Sequence, residues 1–423
     1  MLDIAFIREK TDFVKEGASK KGSDPKIVDE VLELDERRRK ALTKLEEAQS
    51  NLNNISKKIA SVTGDEKTSL VKEAAELSAQ AKELKPEVDE VNELFRLKML
   101  EIPNPPLEDV IVGKSDAENT VNRTNGEVPK FDFDVKDHVD LGTSLDLIDI
   151  ERAGKISGSR FYFLKNEMVL LEFALIQYAL SILVKEGFVP IIPPILLNKA
   201  TMLGAGYLPA GEDEIYKTQD DTYLAGTAEQ PLAGIHMDEV LDSNKFPIRY
   251  AGFSSCFRRE AGSHGKDVRG ILRAHQFDKV EMFSYVEPKD SASEHDYLVS
   301  IEEKIVQGLK LPYQVIDICS GDLGAPAAKK FDIETWMPGQ DKYRETHSCS
   351  NCTDFQARRL NIKYRDKDGK LQFVHTLNGT AIAIGRMLIA VVENYQNKDG
   401  SVTVPEALRP FCGFDKIEKK IIC

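Results

Sequence analysis

Two stretches of this chain concentrate residue types that do chemistry. The first, Phe253 to Glu281, reads FSSCFRREAGSHGKDVRGILRAHQFDKVE, with two apolar runs flanking a segment rich in glycine and charge. Side chains two or four apart on a strand share a face. Extended backbone here would set Arg258 with Glu260, and Arg273 with Phe277, on one sheet surface. Guanidinium groups, a carboxylate and an aromatic ring suit a nucleotide: phosphate on arginine, base on the ring, exocyclic amine on the acid. An exposed hairpin with surface ion pairs would carry the same residues, and both readings stand at this point.

The second stretch, LNGTAIAIGRMLIAVVENY from Leu377 to Tyr395, reads as an Asn-Gly turn leading into a long apolar helix with Arg386 inside it. A charge in such a run is costly unless paired, so Arg386 requires either an anionic ligand or a core carboxylate. Cys349-Ser350-Asn351-Cys352 beside His347 invites a zinc site, but a structural metal takes four ligands and no second CxxC exists. Buried thiols and no zinc are expected. The chain has no GxxxxGK loop, no strand-linked GxGxxG, no GxSxG and no HExxH.

These residues need a scaffold, and the 423 residues fall into two kinds of sequence. From Val31 a seam repeats at steps of three and four: Val31, Leu34, Arg38, Ala41, Leu45, Ala48 and on to Val62. Thr63-Gly64-Asp65 interrupts it, with Asp65 suited to an N-cap, and a second seam runs from Leu70 to Phe95. Sustained heptads with charged flanks predict two helices folded back as an antiparallel coiled coil spanning about residues 26–100. Pro86 should kink or break the second helix near Lys85. Prolines 103, 105 and 106 mark a boundary, giving expected domains of 1–105 and 106–423.

Beyond the boundary, short apolar runs alternate with Gly, Pro and Asp, at Phe161–Phe163, Val189–Leu197, Arg249–Phe257, Phe277–Val286 and Tyr313–Ile318. Helices do not alternate regularly with them, which predicts an α+β fold on a largely antiparallel sheet. Met168 to Val184 is the most apolar helix, yet it carries Glu172 and Gln177, so a buried helix is expected and not a membrane span. The balance of 57 basic and 70 acidic residues, net −13, excludes a bulk basic field for nucleic acid, though not a local strip. Six cysteines in so long a chain make no disulfide framework, and the N-terminus is charged from its third residue. A reduced, cytoplasmic protein is expected.

Together these motifs resemble a known family. A strand arginine followed by a loop and (R/H)xxxF, here Arg273 to Phe277, then a Gly-Arg helix over a hundred residues on, resembles motifs 2 and 3 of class II aminoacyl-tRNA synthetases. GFVPIIPP, Gly187 to Pro194, resembles motif 1. The helical arm, IPN at Ile102, KISGSRFYFL at Lys155, TAEQPL at Thr227, CSNCTDFQARRL at Cys349 and VPEALRPF at Val404 narrow the resemblance to the seryl-tRNA synthetase family, bacterial type.

That resemblance implies an ATP-dependent ligase that activates L-serine as seryl-adenylate and transfers it to the 3′ end of tRNA(Ser), with tRNA(Sec) a further candidate acceptor. It implies Thr227, Ala228, Glu229, Arg258, Glu281 and Thr380 around serine. Arg258, Arg259, Glu260, Phe277, Glu345, Thr346, His347, Ser348 and Arg386 would then surround ATP. Arg258 and Arg386 would be catalytic, and Glu345 and Ser348 would meet Mg²⁺ carried with ATP. For tRNA it leaves Lys57, Lys58, Lys67 and Lys72 on the arm, with Lys266 and Arg269 in the loop of the first stretch. Motif 1 implies a homodimer. Thr346 and His347 stand where the family has Ile or Val and then Ser, and Arg259 where it has a small residue. An offshoot charging a carrier protein, or a coiled-coil adaptor with a decayed catalytic body, would keep parts of this pattern.

Overall fold

The computed structural model describes residues 1–262, 267 and 269–419. The chain forms two compact units, Leu2–Pro103 and a larger one from Asn104 onward.

In the first unit, two short helices, Ile4–Glu9 and Thr11–Lys20, precede α1, Lys26–Ile59, and α2, Asp65–Glu101. At 1.5 Å per residue, these 34- and 37-residue helices are about 50–55 Å long. They pack side by side through Val31, Ala41, Ala48 and Ile55 on one and Val88 and Val91 on the other. Gly64, at φ 70°, caps α2 one residue before the expected Asp65, which places its charge in the first turn instead. The expected break at Pro86 does not occur: α2 runs through it, with Val88 and Val91 buried on the turns beyond. At the seam's one charged position the Arg38 guanidinium lies 4.6 Å over the Phe95 ring. Asp35 is buried beside it, within 3.3 Å of Arg8, Arg38 and Arg39, which offset the cost of its charge.

The second unit is built on one eight-stranded sheet. Its strands are β1, Thr120–Asn125; β2, Val189–Ile191; β3, Ile248–Phe257; β4, Gln276–Val286; β5, Tyr313–Asp317; β6, Lys329–Met337; β7, Lys342–Asn351; and β8, His375–Ala383. Their order is β1-β5-β6-β7-β8-β4-β3-β2, and every pair is antiparallel except β2 with β3. The α+β class with a mostly antiparallel sheet is thus realised. Three helices, α3 at Glu167–Lys185, α4 at Ser291–Gly308 and α5 at Ile384–Asn394, enclose the main core with inward side chains such as Val280, Met282, Ile333 and Leu377. The opposite face is covered at one end by a second cluster, where Phe283 and Tyr285 meet Leu232 and Leu360 of two short helices. The rest of that face is left for a cleft. Helix α3 is long and apolar enough to cross a membrane by length and composition, and Met168, Leu171, Leu175 and Leu183 turn into the core.

Two local expectations fail. Asn378-Gly379 is no turn but the middle of β8, opposite Phe283 and Met282. Gly379 serves close packing: a Cβ there would sit 2.9 Å from Glu302 Oε1 and 3.1 Å from Met282 Cε. Arg258 and Glu260 do not share a strand face, because β3 ends at Phe257 and Glu260 adopts a left-handed φ of 51°. Arg273 likewise precedes β4.

Candidate active site

Alternation along β4 turns Val280 and Met282 into the core, and so sends Phe277, Lys279 and Glu281 to the cleft face. Register does the rest. Glu281 lies opposite Thr380 on β8, Asn378 of β8 opposite Ser350 on β7, and Ser348 of β7 opposite Asp332 on β6. Four strands thereby lay one polar floor from residues up to a hundred apart in sequence.

At one end of the floor Thr227 Oγ1 donates to Glu281 Oε2 at 3.0 Å and accepts from the Glu229 N–H at 3.2 Å. Lys279 Nζ lies 2.5 Å from the same Glu281 oxygen. Glu229 opens a short helix and is buried; its carboxylate accepts from Tyr207 Oη at 2.6 Å and from Gln356 Nε2 at 2.8 Å. Burial raises the Glu229 carboxyl above its ordinary value, opposed by the Tyr207 bond and assisted by the charge of Glu281. Ala228 is fully buried and fixes the segment against β3 at Gly252. The result is a small pocket of charge and hydroxyls, suited to a zwitterion with a hydroxyl side chain.

At the other end Arg258 leaves β3 with its Nε donating to the Gly226 carbonyl at 3.2 Å and its guanidinium 5.3 Å over the Phe277 ring. The left-handed turn at Glu260 brings its carboxylate 2.5 Å from Arg273 Nη1. Arg386, in the first turn of α5, reaches Oε1 of Glu345 at 3.0 Å and the Glu345 carbonyl at 2.8 Å. Loss of water around Glu345 works to raise its carboxyl, but Arg386, Lys330 and Arg258 outweigh this and hold it at about 2. Burial pushes Asp332 the other way, up to about 7, against the pull of Lys330. Arg258, Glu260, Phe277, Lys279, Glu345, Thr346, Thr380 and Arg386 all line one continuous cleft.

The remaining candidates sit elsewhere. Arg259 is exposed, its N–H bonded to the Glu214 carbonyl. His347 is buried on the far side of β7, and burial pushes its imidazole down to about 3. Lys57 and Lys58 at the end of α1, and Lys67 and Lys72 at the start of α2, are exposed. Arg269 is exposed and paired to Asp137 and Asp140. Lys266 lies outside the described residues. Cys349 and Cys352 are buried, and among the described residues no cluster of three or more His, Cys, Asp or Glu side chains could hold a metal. Sequence reasoning overlooked Lys279, which the same period-two argument applied to Glu281 would have found. It also overlooked Asn378, Lys330 and Asp332, which only strand register reveals.

Comparison with known proteins follows the same division. Residues 1–106 match the seryl-tRNA synthetase N-terminal domain, and residues 214–395 match the class II tRNA synthetase core domain of the G, H, P, S and T enzymes. The chain is 46% identical to the serine–tRNA ligase of Dictyoglomus turgidum, over 99% of this chain and all of the relative. It is also 46% identical to that of Rhodococcus jostii, over 99% and 100%. Among solved structures it superposes on seryl-tRNA synthetase from Pyrococcus horikoshii complexed with ATP at a TM-score of 0.93, 42% identity and full coverage of both chains. The cytoplasmic serine-tRNA ligase of Naegleria fowleri in complex with AMP gives 0.87 and 36%, over 100% of this chain and 99% of that one.

Proposed function

The chain belongs to the serine–tRNA ligase family, and from that premise we propose a division of labour among the residues of its cleft. L-serine is activated with ATP to seryl-adenylate and pyrophosphate, and the seryl group then passes to the 3′ end of tRNA(Ser). The observation that carries this reading is the meeting, in one cleft, of the Thr227–Glu281–Thr380 pocket with Arg258, Phe277 and Arg386.

In the first step the serine carboxylate attacks the α-phosphorus in line with the leaving pyrophosphate. Two anions must approach, and a guanidinium between them removes the repulsion and orients the attack. Arg258 stands between the two ends of the cleft and is the residue for this role; its tie to Gly226 pre-orients it. Phe277 offers its ring to adenine and Glu260 its carboxylate to the exocyclic amine. Arg386 takes the far end of the triphosphate, exchanging Glu345 for phosphate oxygens. Glu281 and Thr380 bind the amino group and hydroxyl of serine. Alanine would leave these buried polar groups unpaired, a strong ground for rejecting it.

Glu345 and Ser348 are hard oxygen donors, and Asp332 Oδ1 beside Ser348 is buried without a hydrogen-bond partner. This set fits Mg²⁺ arriving with ATP, which would supply charge neutralisation on the phosphates. In the second step a terminal ribose hydroxyl of tRNA attacks the seryl carbonyl and AMP departs. The exposed lysines of the arm, Lys57, Lys58, Lys67 and Lys72, are the cations for tRNA on a chain of net charge −13. Homodimerisation is supported by the exposed Leu170, Phe173 and Val184 of α3 with Val189 of β2 and Ile192 just after it. The setting we infer is the cytoplasm, with translation. The test is pyrophosphate exchange across the twenty amino acids, followed by charging of total tRNA. Exchange with serine, and serylation of one tRNA fraction, is the expected outcome; exchange with another amino acid or none would overturn it.

A further inference from the structure

Glu345 and Ser348 are three residues apart on β7, and period-two alternation sends such residues to opposite faces. Both nevertheless face the cleft: Glu345 pairs with Arg386, and Ser348 sits opposite Asp332 and bonds to it. The register of β6 against β7 explains how. Ile333 faces His347, the next residue Glu334 faces Glu345, and Thr346 is left without an opposite. This is a β-bulge, which inserts one residue and re-aims the side chains around it.

A bulge interrupts the ladder and needs substitute bonds. Thr346 Oγ1 lies 2.7 Å from Thr335 Oγ1, 2.8 Å from His347 Nδ1 and 3.2 Å from the Ile333 carbonyl, to which it donates. A hydroxyl has one donor and two acceptor sites, so this one group can serve all three neighbours. Thr335, Thr346 and His347 are each 1% exposed or less, so no water competes. On the cleft side Arg386 takes the Glu345 carbonyl.

We propose that Thr346 and His347 are positioning residues: by hydrogen bonding behind the sheet they hold the bulge that points Glu345 and Ser348 at the same nucleotide. They act through those two residues; Thr346 also borders the cleft, whereas His347 lies behind the sheet and need not touch ATP. The proposal rests on the nucleotide-binding reading of Glu345 and Ser348 given above.

The full-length protein tests it through Thr346→Ala, which removes the hydroxyl without installing the branched side chain usual in the family, His347→Ala, and His347→Asn, which keeps a polar atom near Nδ1. ATP affinity is measured by calorimetry without serine, and KM for ATP and for serine by pyrophosphate exchange. Thr346→Ala and His347→Ala are expected to weaken ATP binding and raise its KM by about tenfold, leaving KM for serine within about twofold. His347→Asn should restore ATP affinity. Unchanged ATP affinity in both disruptive variants, or equal increases in both KM values, would overturn the proposal. Should Thr346→Ala fail to fold, the His347 pair carries the same test. A wild-type protein that binds ATP but does not exchange with serine would contradict the ligase reading and leave this one standing.

Discussion

The helical arm and the sheet-based unit reach their structures by opposite routes. In the arm nearly every contact follows from a repeat of three and four: Val31, Ala41, Ala48 and Ile55 meet Val88 and Val91 because spacing puts them on one stripe. Its buried charge is answered mostly nearby, Asp35 by Arg38 and Arg39 on the neighbouring turn, with Arg8 of a preceding short helix completing the set. In the larger unit, Arg258, Glu281, Glu345 and Thr380 come together only because distant strands pair in register, with Thr227 tied on through Glu281 and Arg386 through Glu345. Local periodicity builds a handle; long-range register builds a site. A substitution in the site should therefore damage chemistry out of proportion to stability, and one in the larger unit's buried carboxyls should act at a distance.

The sharpest break is Arg258→Ala. Losing a charge poised between carboxylate and phosphate typically costs about 3–4 kcal/mol, or 10²–10³ in rate. Pyrophosphate exchange should fall by that much while the thermal midpoint stays near wild type. Near-normal exchange would remove this arginine from the chemistry. Glu281→Ala comes next: KM for serine should rise well beyond KM for ATP, because the acid faces Thr227 and Thr380 and not the nucleotide end. Equal damage to both would mean that Glu281 merely holds β4 to β8.

A smaller effect concerns two carboxyls brought together from α3 and β4. Burial, then the charge and hydrogen bond of Asp278, push Glu172 up to about 8 from an ordinary 4.5. The folded state therefore holds a proton that the unfolded chain has already released, and stability falls as pH rises from about 4.5 through 8. Glu172→Gln removes that loss. Its thermal midpoint should exceed wild type by a few degrees at pH 8 and match it near pH 4.5; a constant difference at both would refute the pairing.

How much was legible follows from the same contrast. The arm's two helices could be read from Val31 to Phe95 because their partners recur within one or two turns. Helix α2 is not broken at Pro86 because the seam beyond it, at Val88 and Val91, holds the next turns against the lost backbone bond. In the larger unit the strands at 249–257, 277–286 and 313–318 were visible as apolar runs, whereas their order was not, since nothing local records which strand pairs with which. Asn378-Gly379 looked like a turn for that reason; its glycine answers Glu302 and Met282, distant in sequence. Arg258 and Glu260 were found as a pair but misplaced on a strand, because a left-handed φ at a glutamate leaves no mark in composition. The bulge at Thr346 was invisible too, though the three-residue spacing of Glu345 and Ser348 required something like it.

The central claim, that register in the larger unit makes the adenylate and the arm delivers the tRNA, is tested most directly by deleting residues 25–100 and closing the gap with a short Gly/Ser bridge. The two half-reactions are then measured on one preparation. Pyrophosphate exchange with serine should continue at close to the wild-type rate, because every residue assigned to ATP or serine lies beyond Gly226. Charging of tRNA should be lost. Removing several lysine–phosphate contacts should also flatten the salt dependence of residual tRNA binding by about 0.7–0.9 in log–log slope per contact. Serylation at the full rate by the truncated protein would contradict the account.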